Sequence, residues 1–250
     1  MNNAPVRTVS DAKRDFYTHH TRPINSIYRR VVDELMVEML LLSVNVDFTY
    51  DPLYALGIVT TFDRFMEGYQ PEADKASIFN ALCRSVHSTP EQYRGDAEAA
   101  KASVSGLSLD DMKAQFDHLE NGGDGLRGTL AAIAAKEKFK YSRPFGIGLY
   151  TLVEAVAPAE TLKDKEAVEA LFKDLGDKLP LPTDKLQKDL ELYRSNLEKF
   201  AQAQEVMKDM LAADRKKRED RKKAAEAEAE AITEPVAAAP DAGEPAESAE

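Results

Sequence analysis

Apolar residues crowd one stretch of this chain, from Arg22 to Tyr69, and their spacing there is helical. Ile24, Ile27, Tyr28, Val31, Leu35, Met39 and Leu42 recur at intervals of three and four. Val32, Met36 and Leu40 widen that stripe beyond the arc of an ordinary surface helix, which predicts cover from several neighbours. Pro23 suits a first helical position, where no backbone N–H is needed. Asp51-Pro52 starts a second helix as N-cap and first residue. Ile58, Val59, Phe62, Phe65, Met66 and Tyr69 lie on its main face, and Gly57 leaves room for another helix to come close. The short connection Asn45–Thr49 predicts an antiparallel pair, read as the core hairpin of an all-helical domain.

The flanking patterns are also helical. Ser10 caps a predicted helix from Asp11 to about His20, with Ala12, Phe16 and His19 facing inward. Pro71-Glu72 opens a helix carrying Ile78, Phe79, Leu82, Cys83 and Val86. Thr89-Pro90-Glu91-Gln92 has capping-box spacing and begins an Ala-rich outer helix to Ser105. Ser108 and Asp111 signal another start before Met112, Phe116 and Leu119, and the glycines between Asn121 and Gly125 break the chain. Leu126 to Tyr141 reads as helix, ended or kinked by Ser142-Arg143-Pro144. A short apolar helix follows from Phe145 to Val156, then one more through Val168, Leu171, Phe172 and Leu175, closed by Gly176. Pro180-Leu181-Pro182 marks the clearest boundary.

Beyond that boundary the pattern changes. Leu186, Tyr193, Phe200 and Met207 repeat every seven residues, and Leu190, Leu197, Gln204 and Leu211 follow in the same register. This is an a/d seam broken once, at Gln204, with no charge code at its e and g positions. Thr183 is its N-cap, and helix signal continues to about Ile232, ~70 Å if unbroken. The seam either packs back along its own domain or forms an arm that docks on a partner or on a second copy. The expected organisation is all-α: flexible residues 1–9, a globular multi-helix domain over 10–179, a long coiled-coil-like helix over 183–232 and a disordered acidic tail over 233–250.

Charge sharpens that division. The net charge is −11, from 33 basic and 44 acidic residues. Eight of the acids and none of the bases lie in residues 224–250, so the rest of the chain is nearly balanced at −3. A nucleic-acid partner is not indicated. Arg215 to Lys223 carries seven bases and two acids, the one dense basic run. Its default reading is a solvated helix end; its functional reading is contact with an anionic membrane surface through Arg215, Lys216, Lys217 and Arg218. No apolar run approaches the ~20 residues needed to cross a bilayer. The first residues show neither an apolar signal core nor a transit-peptide composition.

Catalytic signals are sparse. Glu34 and Glu38 stand one turn apart, but no Glu has a His three residues later, as a di-iron bundle requires. Glu38 is expected to pair with an Arg or Lys or to reach solvent. Gly123 to Thr129 imitates the front of a phosphate loop without its Lys or a preceding strand, and reads as a helix start. Gly146-x-Gly148 fails for the same lack of a strand. Cys83, the one cysteine, excludes an intrachain disulfide; His87 one turn away raises a nucleophile reading, against which a lone Cys on an apolar face is a small core residue. No catalytic residue, cofactor or metal is expected.

The segments RPINSIYRRVVDELMVEMLLLSVNVDF and YDPLYALGIVTTFDRFMEGY, with YSRPFGIGLYTLVE at 141–154 and LELYRSNLEKF at 190–200, resemble in order the thylakoid formation protein family of cyanobacteria and plastids. The resemblance covers roughly residues 8–210 and implies a cyanobacterial protein. It implies a non-enzymatic role in thylakoid biogenesis and photosystem II assembly or repair, with the FtsH membrane protease as partner. It also implies a peripheral location at the cytoplasmic face of the thylakoid membrane. Docking on FtsH is assigned to the seam, at Leu197 and Phe200. The alternatives are a helical cofactor- or pigment-binding protein and a coiled-coil structural oligomer.

Overall fold

The computed structural model describes residues 7–233, with side chains described as far as residue 224. The expected disorder of residues 234–250 therefore lies outside the described residues, as do residues 1–6. Among the described residues the chain is all-helical, with eleven α-helices, one short 3-10 turn and no strand. The helices are α1 (Val9–His19), α2 (Ser26–Ser43), α3 (Pro52–Phe65), α4 (Asp74–Ser85), α5 (Pro90–Ala102), α6 (Leu109–Ala114), α7 (Gly125–Ala134), α8 (Arg143–Val156), α9 (Ala159–Lys163), α10 (Lys165–Asp177) and α11 (Thr183–Thr233). One compact unit ends at Phe200 and a second begins at Ala201.

α3 is the centre of the first unit. Its residues from Leu53 to Thr60 are all buried, so it is covered on every side. Asp51 caps it, accepting from the Tyr54 N–H at 2.9 Å, and burial of that cap raises its carboxyl to about 6. The principal partner of α3 is α8, then α5; α2 meets it far less extensively. The α2–α3 hairpin is thus antiparallel as expected, since Tyr28 at the start of α2 stacks edge-on against Tyr69 beyond the end of α3. It is not the core pair, however. The buried face of α2 carries large side chains at Tyr28, Leu35, Met36 and Met39, whereas glycines let α3 and α8 touch.

A Cβ at Gly57 would lie 1.7 Å from the Pro144 carbonyl oxygen, and one at Gly148 would lie 1.9 Å from that of Leu53. Each helix thus presents a glycine to the other's backbone. Further along the same interface Thr151 donates to the Ile147 carbonyl at 2.8 Å and lies 3.4 Å from the Thr60 hydroxyl. Arg64 then meets Glu154 at 2.6 Å. The pairs Gly57–Gly148, Thr60–Thr151 and Arg64–Glu154 rise together in number, so α3 and α8 run in the same direction. Small residues allow the approach, and polar ones close its far end.

Several boundaries differ from expectation for local reasons. Thr8, not Ser10, caps α1, through a full capping box with Asp11. Arg7 pairs with Asp15 and donates to the Ser85 carbonyl, so residues 7–9 belong to the folded unit. His19 is exposed, and His20 turns inward to Ser77 instead, 3.0 Å away. α2 begins at Ser26, capped by Asn25 rather than opened by Pro23. α7 stops at Ala134, and Ser142, in extended conformation, caps α8. In that extended approach Phe139 and Tyr141 fall on one side, and both rings pack on Phe145. Pro144 sits in the first turn of α8, where it kinks nothing. The Ala-rich α5 packs on α3 through Tyr93, Ala97 and Ala100.

Gly57→Ala and Gly148→Ala should each destabilise the protein by about 3 kcal/mol or more, since a methyl there meets backbone that cannot rotate away. Gly95→Ala on α5, where a Cβ meets nothing within 4 Å, should stabilise by roughly 0.5–1 kcal/mol. Urea denaturation followed by circular dichroism separates the three. Equal effects at all three positions would mean that the α3–α8 approach is not tight.

Candidate interaction surfaces

Two of the concave features on the first unit bear on the candidate residues. The larger is an open groove of about 1100 Å³ between the outer side of α2, the approach to α8 and the Pro180–Pro182 turn. Val37, Leu41, Phe139 and Leu181 supply its apolar walls, and Tyr141 lies at its base. Leu41 is 58% exposed, and Val46, in the loop beyond α2, is 97% exposed. The predicted apolar stripe of α2 is buried or half-buried, as expected, and Leu41 lies beside that stripe and is left uncovered. Here Arg143 donates to Glu38 at 2.6 Å, the partner that the lone carboxylate on the apolar stripe was expected to find. Lys185 stands over the Tyr141 ring at 5.0 Å and reaches Asp189 at 3.3 Å. The Tyr141 hydroxyl is buried without a hydrogen-bond partner, and burial followed by the Asp189 charge raises its pKa.

The smaller feature is a cleft of about 270 Å³ between α10 and the first part of α11. Tyr150 and Phe172 stack at its floor, ring centroids 5.8 Å apart. Lys165 ties Glu169 to Glu191 across its mouth, at 3.7 and 3.0 Å. Its volume falls below the roughly 300 Å³ at which drug-sized ligand sites begin.

The heptad seam divides at Phe200. Leu186, Leu190 and Tyr193 are buried in the first unit, and the Tyr193 hydroxyl accepts from Arg64 at 3.3 Å. Leu197 and Phe200 are half-buried, and the Phe200 ring packs edge-on against Tyr28 and Phe65 at 5.5 and 5.3 Å. This stretch packs back, so the compact unit ends at Phe200 and not at Leu179. Gly146 favours this docking: a Cβ there would stand 2.6 Å from the Tyr141 hydroxyl and 2.8 Å from the Leu186 Cδ1, so its absence lets both side chains settle closely on α8. In the second unit Arg215, Lys216, Lys217 and Arg218 are exposed, and Arg215 pairs with Glu219 at 3.0 Å. The structure thus brings Leu197 and Phe200 into the folded unit, while the four basic residues belong to the other.

The remaining candidates have structural roles. Cys83 is buried, and desolvation pushes its thiol up to about 12, which leaves no thiolate at neutral pH. Gly125 opens α7, and Arg127 donates to the Ala114 carbonyl at 2.7 Å, so Gly123 to Thr129 is a helix start. Gly148 serves the contact with α3. Among the described residues no group of three His, Cys, Asp or Glu side chains could hold a metal ion, and no helix is long and apolar enough to cross a membrane. The Leu41 groove was missed by sequence reasoning. Leu41 and Val37 fall outside the stripe that the spacing picks out, and Phe139 and Leu181 come from distant segments, so helical periodicity gave no signal for it.

An all-helical fold built on a glycine-mediated contact, with an open apolar groove, defines the class. The family model described as "Thylakoid formation protein" matches residues 8–222. Protein Thf1 of Trichormus variabilis is 59% identical over 223 residues, covering 88% of this chain and 95% of that protein. Protein Thf1 of Crocosphaera subtropica is 57% identical over 218 residues, covering 87% of this chain and 89% of that one. A solved structure of Psb29 superposes with a TM-score of 0.75 at 43% identity, covering 85% of this chain and 98% of that chain. The chain belongs to the thylakoid formation protein family.

The burial of Leu186, Leu190 and Tyr193 sets a test of the unit boundary. Each such side chain contributes roughly 1.5–3 kcal/mol, and together they approach the 5–15 kcal/mol that stabilises a typical domain, on the order of its whole margin. A fragment ending at Phe200 should melt within about 5 °C of the full chain. One ending at Leu179 should aggregate or lose its cooperative transition. A cooperative, soluble fragment ending at Leu179 would show that α11 is dispensable to the core.

Proposed function

We propose that this chain is a non-enzymatic interaction protein of thylakoid membrane biogenesis and photosystem II assembly and repair. It acts by association with the FtsH membrane protease, at the cytoplasmic face of the thylakoid membrane. The observation that carries this reading is the family match over residues 8–222, which spans nearly all of the described chain. The likeness to a structure named Psb29 supports the photosystem II side of the reading. FtsH itself enters from the family resemblance of the helical segments.

The Leu41 groove suits a macromolecular partner. It is long, open and apolar at its centre, with Arg143–Glu38 and Lys185–Asp189 at its edges to orient what docks there. Phe200 is a poorer choice for the same role, because its ring is engaged with Tyr28 and Phe65. A charge at Phe200 would damage the folded unit and any docking together.

Tagged full-length chain added to detergent-solubilised thylakoid membranes should recover FtsH. The variant Leu41→Asp should keep its helicity and melting temperature, since Leu41 is already 58% exposed. It should lose FtsH recovery by about tenfold or more, as expected when a central apolar anchor of roughly 1.4 kcal/mol or more is removed. Undiminished recovery with this variant would remove the groove from the account. No recovery with the unaltered chain would remove FtsH.

A further inference from the structure

We infer that the stretch of α11 from Ala203 to Arg221 is an interfacial helix that lies on an anionic lipid surface along one defined face. This rests on the membrane-peripheral reading above and adds to it the face, the anchoring residues and the lipid chemistry. At about 100° per residue, Ala203, Val206, Met207, Met210, Leu211 and Ala213 fall within an arc of roughly 160°. No polar residue between positions 201 and 213 enters that arc. Val206, Met210 and Leu211 are 59%, 66% and 63% exposed. An apolar face this open on a helix this polar needs a covering surface.

The charges say which surface. Along the same arc, in the next two turns, come Lys217, Arg218 and Arg221, with Asp214 the single acid among them. Glu205 and Glu219 project to the opposite side and Asp209 and Asp220 lie on the flank outside the arc, and Arg215 is held away from the face by Glu219 at 3.0 Å. One long face is thus apolar and then cationic, with Asp214 its single acid. That is the charge pattern of a helix lying in the plane of a lipid interface. Apolar side chains enter the acyl boundary, and Lys and Arg extend from their apolar stems to anionic headgroups.

A second copy fits this face poorly. Parallel pairing would set Lys217, Arg218 and Arg221 against the same cations, and antiparallel pairing would set them against Val206, Met210 and Leu211. The apolar part also spans only about three turns, short of the three to four heptads that mark a coiled coil. The eight acids beyond residue 223 repel an anionic surface, so binding depends on the apolar arc and the three cations together.

The geometry supplies its own control. Lys217, Arg218 and Arg221 lie on the proposed face; Arg215, Lys216 and Lys223 carry the same charge on the other. A helix is about 10–12 Å across with its side chains, more than the Debye length of about 8 Å at physiological salt. Far-face cations are therefore screened from the headgroups. Co-flotation of the full chain with vesicles of phosphatidylcholine and phosphatidylglycerol, and with phosphatidylcholine alone, tests this at physiological salt. The chain should float with the mixed vesicles and far less with the neutral ones. Each cation at such a surface is worth about 1 kcal/mol, roughly fivefold, so K217Q/R218Q/R221Q should weaken binding by about 100-fold. R215Q/K216Q/K223Q should change it by less than about fivefold, and Met210→Asp should weaken it by about tenfold or more. Equal losses in the two triple variants, equal binding to neutral vesicles, or no flotation of the unaltered chain would overturn the proposal. Vesicles contain no protein, so any of these results leaves FtsH association to be judged by its own recovery.

Discussion

The backbone contact between α3 and α8 is the constraint on which the first unit depends. Two glycines, one on each helix, remove the side chains that would hold the axes apart. What remains is carbonyl oxygen against Cα, a contact that no other residue pair could make. Buried on all sides, α3 must then be sheathed, and α5 and α2 supply the sheath with progressively larger side chains. Arg64 extends the interface outward: it pairs with Glu154 on α8 and donates to Tyr193 on α11. Arg64 thus links the central pair to the first part of α11.

α11 shows how one sequence pattern can serve two environments. Its heptad register is unbroken in spacing from Leu186 to Leu211, yet the side chains at one end are buried and those at the other are exposed. The change occurs after Phe200, the last seam position in the first unit. Leu186 meets Gly146, Tyr193 meets Arg64, and Phe200 meets two aromatic rings. Beyond Ala201 the apolar positions become smaller or more flexible, and a cationic run follows them. Periodicity records that a face needs cover; it does not record what supplies it.

Much of the architecture was legible in the sequence because it is locally encoded. Asp51-Pro52, Thr89-Pro90 and the Ser108–Asp111 box place helix starts through hydrogen bonds spanning three residues, and these need no tertiary context. Gly57 was readable as a close approach, but its partner was not, since Pro144 lies 87 positions away. Gly146 and Gly148 resembled a failed ligand loop when they are packing residues. The α2–α3 hairpin looked central because it is the most apolar stretch of the chain, yet hydrophobicity measures how much surface wants burial, not which backbones touch. The groove at Leu41 escaped because its walls come from segments far apart in sequence, and Leu41 lies outside the stripe that marks the buried face of α2. The expectation for residues 234–250 falls outside the described residues.

Native-state hydrogen exchange tests the central claim most directly, because it ranks helices by the free energy needed to open them. If the α3–α8 contact organises the fold, the amides flanking Gly57 and Gly148 exchange only through global unfolding, and those of α2 exchange earlier through smaller openings. The contrary result is a slowest-exchanging set in α2, with α8 opening on its own well below the global stability. That would return the core to the hairpin and reduce the two glycines to incidental contacts.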